Sequence, residues 1–335
     1  MNPPPARSTA DGPIVRVDDV HKSFGDVHAL AGASLSIESG TVYGLLGANG
    51  AGKTTLINVL STLLRPDSGT AMVGGVDVTR DPQAVRRRVG LAGQFAAVDD
   101  YQTGYENVEM VGRLYGLSRR DARRRARDVL ARFQLSDAAD RKASTYSGGM
   151  RRRLDLAASL VGQPDVLFLD EPTTGIDPGS RLDIWELIRD LVEAGTTVLL
   201  TTQYLEEADE LADLIGVIDH GSIITEGTAD ELKDSLGDNT VRLLVRDDDL
   251  GAARRALRDM QGCEDGGSGQ FEIPAVDGNQ TVMTVLRRLD GEGIEPLELA
   301  LERPSLDDVF LKLTGHRATP DDDGAGDDHH EREES

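Results

Sequence analysis

An α/β domain with a buried parallel sheet, interrupted by an all-helical insertion and followed by a small α+β module, is the fold this sequence predicts. Three observations point to it. Apolar runs of strand length recur with helix-period segments between them, the pattern of parallel strands buried on both faces. From about residue 94 to 147 the strand signals vanish and helical spacing takes over. After about residue 227 short strands and helices resume in a different order, and 335 residues suit one large domain plus a smaller one.

Residues 1–12, with Pro3-Pro4-Pro5 and small polar side chains, lack a periodic apolar pattern and are expected as a disordered arm. Strands are expected at 14–17, 28–37, 41–46, 166–169, 197–201, 215–218 and 222–225, and helices at 53–63, 180–193 and 205–211. In the insertion, 104–115 and 119–133 have helix spacing. The C-terminal module offers a strand at 240–245, a helix at 250–260 and a Gly-rich turn at 266–269, then apolar segments at 271–273, 282–289, 294–301 and 306–313. Residues 321–335 hold eight acids and one Arg, a block of net charge −7 that repels itself and stays unfolded. The expected division is therefore an arm at 1–12, a large domain at 13–235 with a helical subdomain at about 95–160, an accessory domain at 236–316 and a tail at 317–335. No internal repeat is visible.

The chain carries 59 Asp and Glu against 36 Lys and Arg, a net charge of −23. Such a balance disfavours a nucleic-acid surface, which needs basic residues against phosphate. Without residues 321–335 the charge is still −16, so the acidity belongs mostly to the folded part. Only five of the bases are Lys, namely Lys22, Lys53, Lys142, Lys233 and Lys312. A halophile-like acidic, Lys-poor surface fits a salt-rich cytosol, where screening to about 3 Å at 1 M relieves self-repulsion. A GC-rich genome plus one acidic tail is the plainer alternative, and thermal melting across a salt series separates the two. The lone Cys263 cannot form an internal disulfide, and no basic segment followed by an apolar core opens the chain. A reducing cytosol is the expected compartment. The apolar runs are strand-length, short of the roughly 20 residues a membrane span requires, so any link to a membrane is expected through a partner.

Chemistry enters at Gly47-Ala48-Asn49-Gly50-Ala51-Gly52-Lys53-Thr54, followed by Thr55. This is a phosphate loop in its proper setting, after an apolar strand and opening a helix. Its glycines let backbone N–H groups turn toward phosphates, and the helix N-terminus adds partial positive charge. Lys53 can reach the β and γ phosphates of a nucleotide, and the Thr54 hydroxyl can ligate Mg²⁺. A second apolar run, Val166-Leu167-Phe168-Leu169, ends in Asp170-Glu171. Successive strand side chains face opposite ways, so the two carboxylates are expected to divide the labour: Asp170 for the Mg²⁺ shell, Glu171 as general base on the attacking water.

Tyr146-Ser147-Gly148-Gly149-Met150, with Ser147 placed 23 residues before Asp170, opens another helical pattern. As pure structure it is a helix capped by Ser147. Together with the phosphate loop and the Asp-Glu strand end, it resembles the signature of ATP-binding cassette (ABC) ATPases, over about residues 14–227. The resemblance implies a P-loop NTPase fold of the ABC cassette type with a helical insertion subdomain. It also implies ATP and Mg²⁺ as ligands, and roles for residues that mean little alone. Phe24 lies where these proteins stack an aromatic ring on adenine. Gln94 resembles the glutamine that senses Mg²⁺ and the attacking water, and Asp177 resembles the loop that crosses a dimer interface.

Two departures narrow the resemblance. Gln203 stands at the place of the family's switch histidine, and Tyr146 and Met150 replace the signature's usual Leu and Gln. Gln203 can donate a hydrogen bond to a γ-phosphate oxygen but cannot become a cation. The same departures mark the drug-resistance ATP-binding subunits of the daunorubicin type, and residues 302–315 resemble their closing motif. Read by itself that segment is a helix capped by Ser305 with Asp308 as capping-box partner, with Leu306, Val309, Phe310 and Leu313 on one face and Gly315 after its end.

The resemblance implies a second ATP-binding subunit, because ATP would lie between one subunit's phosphate loop and the other's Ser147, Gly148 and Gly149. A homodimer coupled to an integral-membrane permease, acting as an exporter motor at the cytoplasmic face of the membrane, is the implied assembly. Residues 95–105 are expected against the permease. The arginines of 119–127 are either a solvated face or a contact with anionic lipid or permease, and His329-His330 are either tail or a stray metal site. A soluble cassette ATPase acting on ribosomes or DNA would show two cassettes or a long coiled coil, and neither is visible. Gln203 leaves open a regulatory cassette that hydrolyses poorly.

Overall fold

The computed structural model describes residues 12–94, 97–236 and 239–315. Phe95, His329, His330 and the expected acidic tail lie outside the described residues, as does nearly all of the expected arm. In chain order the structure begins with strands β1 (Val15–Phe24), β2 (Val27–Ile37) and β3 (Val42–Leu46), helix α1 (Lys53–Leu60) and strands β4 (Ser68–Val73) and β5 (Val76–Asp77). Helix α2 (Pro82–Arg86) and strand β6 (Val89–Ala92) follow, then helices α3 (Gly104–Leu114), α4 (Arg119–Arg132) and α5 (Gly148–Leu160). Next come β7 (Val166–Asp170), α6 (Pro178–Glu193), β8 (Thr197–Thr202), α7 (Leu205–Leu211), β9 (Leu214–Asp219), β10 (Ser222–Gly227) and α8 (Ala229–Asp234). The remainder is β11 (Asn239–Leu244), α9 (Leu250–Leu257), β12 (Glu264–Gly267), β13 (Gln270–Ala275), α10 (Asn279–Gly291), β14 (Glu298–Glu302) and α11 (Leu306–Thr314).

The central sheet has the order β10-β9-β3-β8-β7-β6, parallel from β9 to β6 with β10 antiparallel at the edge. Strand alternation gives it two apolar faces. Val166 and Phe168 of β7 join Tyr43, Leu45 and Leu199 in a core with Leu56, Ile57, Val59 and Leu60 of α1. Leu167 and Leu169 point the other way, into a core with Val198, Leu200, Ile184, Trp185 and Ile188 and the helices α3 to α5. Every residue of β3, β7 and β8 is buried, which is why residues 166–169 and 198–200 read as unbroken apolar runs rather than alternating ones.

The first two strands depart from the expectation of one parallel sheet. They form a separate antiparallel sheet, β2-β1-β4-β5, laid over α1. Their sequences alternate buried and exposed residues, and that half-buried pattern belongs to an antiparallel sheet with one face outward. Helix α1 also stops earlier than the expected 63, because Leu63 points into solvent.

The C-terminal sheet, β12-β13-β11-β14, is antiparallel throughout and packs its inner face on α9 and α10. Helix α11 has the expected capping box of Ser305 and Asp308, and Gly315 closes it at φ 72°. Its apolar face is narrower than expected, because Leu313 is 43% exposed. Leu306, Val309 and Phe310 are buried, but against Leu46, Leu205, Ala208, Ile215, Val217 and Leu232, residues of the central sheet, α7 and α8.

Candidate active site

The carboxyl ends of β3, β8 and β7 lie side by side, and β6 ends next to β7, so four loops converge at one edge of the parallel sheet. Ligands of open α/β sheets gather at such an edge. After β3, the loop turns into α1 with Gly50 at φ 80° and Gly52 at φ 114°. Gly52 has no alternative there: a Cβ would lie 2.5 Å from the carbonyl oxygen of Ala29, in a conformation L side chains rarely adopt. Gly52 caps α1 without any side-chain hydrogen bond, so the first N–H groups of the helix face the loop rather than a cap.

Lys53, 5% exposed, extends its ammonium back over this loop. Its Nζ donates to the carbonyls of Gly47 at 2.8 Å and Ala48 at 3.1 Å, and lies 3.4 Å from Oε1 of Glu171. Burial pulls the Lys53 pKa down, and the Glu171 and Asp170 carboxylates oppose that fall. Asn49, Gly50, Gly52, Lys53, Thr54 and Thr55 line a cleft of about 280 Å³ together with Val27, Ala29, Gln94 and Glu171. Gly47 and Ala51 are buried beneath it.

Asp170 and Glu171 do part ways, though strand alternation is not the whole reason. Asp170 ends β7, is buried, and accepts a hydrogen bond of 2.6 Å from the Thr201 hydroxyl. Glu171 lies past the strand at φ 49°, a left-handed conformation that costs a non-glycine residue about 1–2 kcal/mol. Its N–H donates to the Thr201 carbonyl and hydroxyl, at 3.2 and 3.1 Å, which holds the turn and swings the carboxylate toward Lys53.

Other expected residues lie apart from this cleft. Phe24 is 49% exposed at the end of β1, with Lys22 Nζ 5.6 Å from the ring centroid. It does not line the cleft, although its cross-strand partner Val27 does. Gln203 follows β8 and is half-buried outside the cleft lining. Ser147 accepts from the Met150 N–H at 3.3 Å and caps α5, leaving Ser147 and Gly148 exposed. Asp177 caps α6 by accepting from the Ser180 N–H at 3.0 Å, a bond that holds its carboxyl below the usual range. Ser180 in turn lies against Gly149, so the signature glycines and the Asp177 loop share one surface.

Three supporting residues escape a sequence reading. Thr201 reads as one more strand residue until the parallel register places it opposite Asp170. Glu207 of α7 is fully buried, accepts from Thr173 at 2.8 Å and Trp185 at 3.1 Å, and has its pKa pushed up by burial. It ties the helix after Gln203 to the segment after Glu171, and its only sequence signal is an acid on the apolar face of an amphipathic helix. Ala29, in the neighbouring sheet, has none.

Comparison with known proteins gives the family. Residues 30–174 match the family described as ABC transporter, and residues 227–314 match the C-terminal domain of ATP-binding proteins of the DrrA1-3 type. The chain is 52% identical over 302 residues to the daunorubicin resistance ATP-binding protein DrrA3 of Streptomyces coeruleorubidus, covering 90% of this chain and 96% of that one. It is 51% identical over 321 residues to the daunorubicin/doxorubicin resistance ATP-binding protein DrrA of Streptomyces peucetius, covering 95% and 96%. Among solved structures, a dimeric post-hydrolysis ATP-binding cassette, MJ0796 bound to ADP and Pi, superposes with a TM-score of 0.59 at 26% identity, covering 64% of this chain and 98% of that one.

Proposed function

Because the chain belongs to the ABC transporter ATP-binding family, in its drug-resistance branch, we propose that two copies close around two ATP molecules to power export through a separate membrane permease. The cargo proposed is a drug, antibiotic or other hydrophobic compound, the class to which the compounds in the relatives' names belong. Among the described residues no helix is long and apolar enough to cross a membrane. On this reading the permease holds the subunit at the cytoplasmic face. The proposed organisation is a cassette over 13–235, with its helical subdomain at about 95–160, and an accessory domain over 236–316.

The convergence of Lys53 and Glu171 over the phosphate loop is the observation that supports this reading most directly. Lys53 would exchange the Gly47 and Ala48 carbonyls for β- and γ-phosphate oxygens, and the N–H groups at the start of α1 would complete the anion site. Glu171, released from Lys53, would accept a proton from the attacking water. The oxygens of Thr54, Asp170 and Gln94 suit Mg²⁺, a hard cation usually held by one or two protein oxygens with phosphates and water. Mg²⁺ would neutralise charge on the β and γ phosphates. Gln203 would donate to a γ-phosphate oxygen, Phe24 would stack on the base, and Ser147, Gly148, Gly149 and Asp177 would meet the second copy's nucleotide.

Steady-state ATPase activity of the purified chain tests the proposal, with Glu171→Gln as the decisive variant. Hydrolysis is expected to fall at least 100-fold while ATP binding persists and the protein shifts to dimer on size exclusion. Unchanged hydrolysis in Glu171→Gln would remove Glu171 from the mechanism. Reconstitution with the permease, read as ATP-dependent drug uptake into inverted vesicles, tests the exporter role.

A further inference from the structure

Three consecutive arginines follow the signature, and the middle one is unlike its neighbours. Arg152 is 6% exposed on α5, and its guanidinium reaches three backbone carbonyls in two loops. Nε donates to the carbonyl of Pro172 at 2.8 Å, Nη2 to that of Asp170 at 3.3 Å, and Nη1 to that of Gly93 at 2.5 Å. Nη1 also donates to Asp155 Oδ2 at 3.3 Å, one turn along the same helix. Asp155, 4% exposed, accepts the Ala97 N–H on Oδ1 at 3.0 Å.

The pair therefore grips one loop on both sides of Gln94, at Gly93 and Ala97, and the other on both sides of Glu171, at Asp170 and Pro172. We infer that Arg152 and Asp155 are positioning residues, a buried clamp on the signature helix that fixes the spacing between Gln94 and the Asp170-Glu171 pair. The inference deepens the ATPase reading and rests on it.

Stability alone does not account for such a pair. Burial lowers the Arg152 pKa and pushes the Asp155 carboxyl up to about 6, each against the partner's opposing charge. Buried ion pairs are often matched or exceeded in stability by apolar residues of similar volume. What apolar side chains cannot supply is the set of directed hydrogen bonds to four backbone groups. Because the clamp is anchored on α5, a displacement of that helix would reach Gln94 and Glu171 together through one guanidinium.

The test uses the full-length chain with two variants: Arg152→Met/Asp155→Leu, which removes both charges, and the near-isosteric Asp155→Asn. Three quantities are read: affinity for a fluorescent ATP analogue, kcat for ATP, and hydrogen exchange at the Ala97 amide. The clamp predicts affinity within about threefold of wild type, kcat lowered about tenfold or more, and faster Ala97 exchange in both variants. Wild-type kcat in either variant, whatever the Ala97 exchange, would overturn it, and so would a lowered kcat with Ala97 exchange unchanged. So would affinity falling in parallel with kcat, which marks a general structural role. If the double variant fails to fold, the same three readings on Asp155→Asn decide the matter. Wild-type turnover in the same assay separates the claims: an inactive wild type overturns the ATPase reading on which the clamp rests, whereas an active wild type matched by active variants overturns the clamp alone.

Discussion

Two helices in this molecule begin on glycine-rich turns, and they begin in opposite ways. At α1 the turn holds Gly50 and Gly52 at positive φ, with Gly52 packed against the Ala29 backbone, has no side-chain cap, and folds Lys53 back over itself. At α5 Ser147 caps the helix, and Gly148 is exposed with nothing within 4 Å of where a Cβ would be. The first is a cradle whose walls belong to one chain. The second is open at Gly148, while its next glycine, Gly149, is buried against Ser180. A glycine forced by backbone conformation and a glycine left open at a helix start look identical in sequence, and only the space around each separates them.

Substitutions can break or sharpen that contrast. Glu171→Gln strikes the cradle's chemistry and is expected to lower kcat by 10²- to 10⁴-fold, about 3–5 kcal/mol of barrier, without loss of ATP binding. Gly52→Ala strikes its backbone: with Ala29 O only 2.5 Å from the new Cβ, about 3 kcal/mol of stability should be lost in urea melts, and nucleotide affinity with it. Gly148→Ala should leave the melting curve unchanged or slightly improved, since the methyl enters open space at a helical position. Its ATPase activity should nonetheless fall about tenfold, equivalent to about 1.4 kcal/mol, if α5 seats on a second copy's phosphates. An equal loss of stability and activity at Gly148 would erase the distinction between the two helix starts. Smallest is Ser147→Ala, expected to cost about 1 kcal/mol of stability through the lost cap, read by thermal melting.

The parts legible in the sequence were those where chemistry constrains the backbone. The phosphate loop, the Asp170-Glu171 strand end and the Ser305 cap each announce a local geometry that the surrounding fold leaves intact. The strands β4, β6 and β12 were not legible, since each is short and interrupted by glycine, at Gly69, Gly90 and Gly266-Gly267, and is held by its neighbour's register. Arg152 was hidden for a different reason. In a run of three arginines each looks solvated, and only the packing of α5 against the central sheet selects the middle one for burial. Glu171 shows the limit of a correct idea: opposite directions for two adjacent carboxylates follow from alternation, but the direction itself is set by a left-handed turn pinned to Thr201.

Helix α11 returns from the far end of the described chain to cover Leu46, Leu205 and Val217. The apolar surface beside the strand that feeds the phosphate loop is thus closed by a helix synthesised after the whole C-terminal sheet. While the ribosome is still elongating, residues up to 305 must tolerate that surface uncovered, and folding through such distant contacts is slow and open to aggregation. Helix α11 therefore serves as a lid on the cassette's own core, and a chain lacking residues 306–314 would expose that apolar patch to water and to other chains.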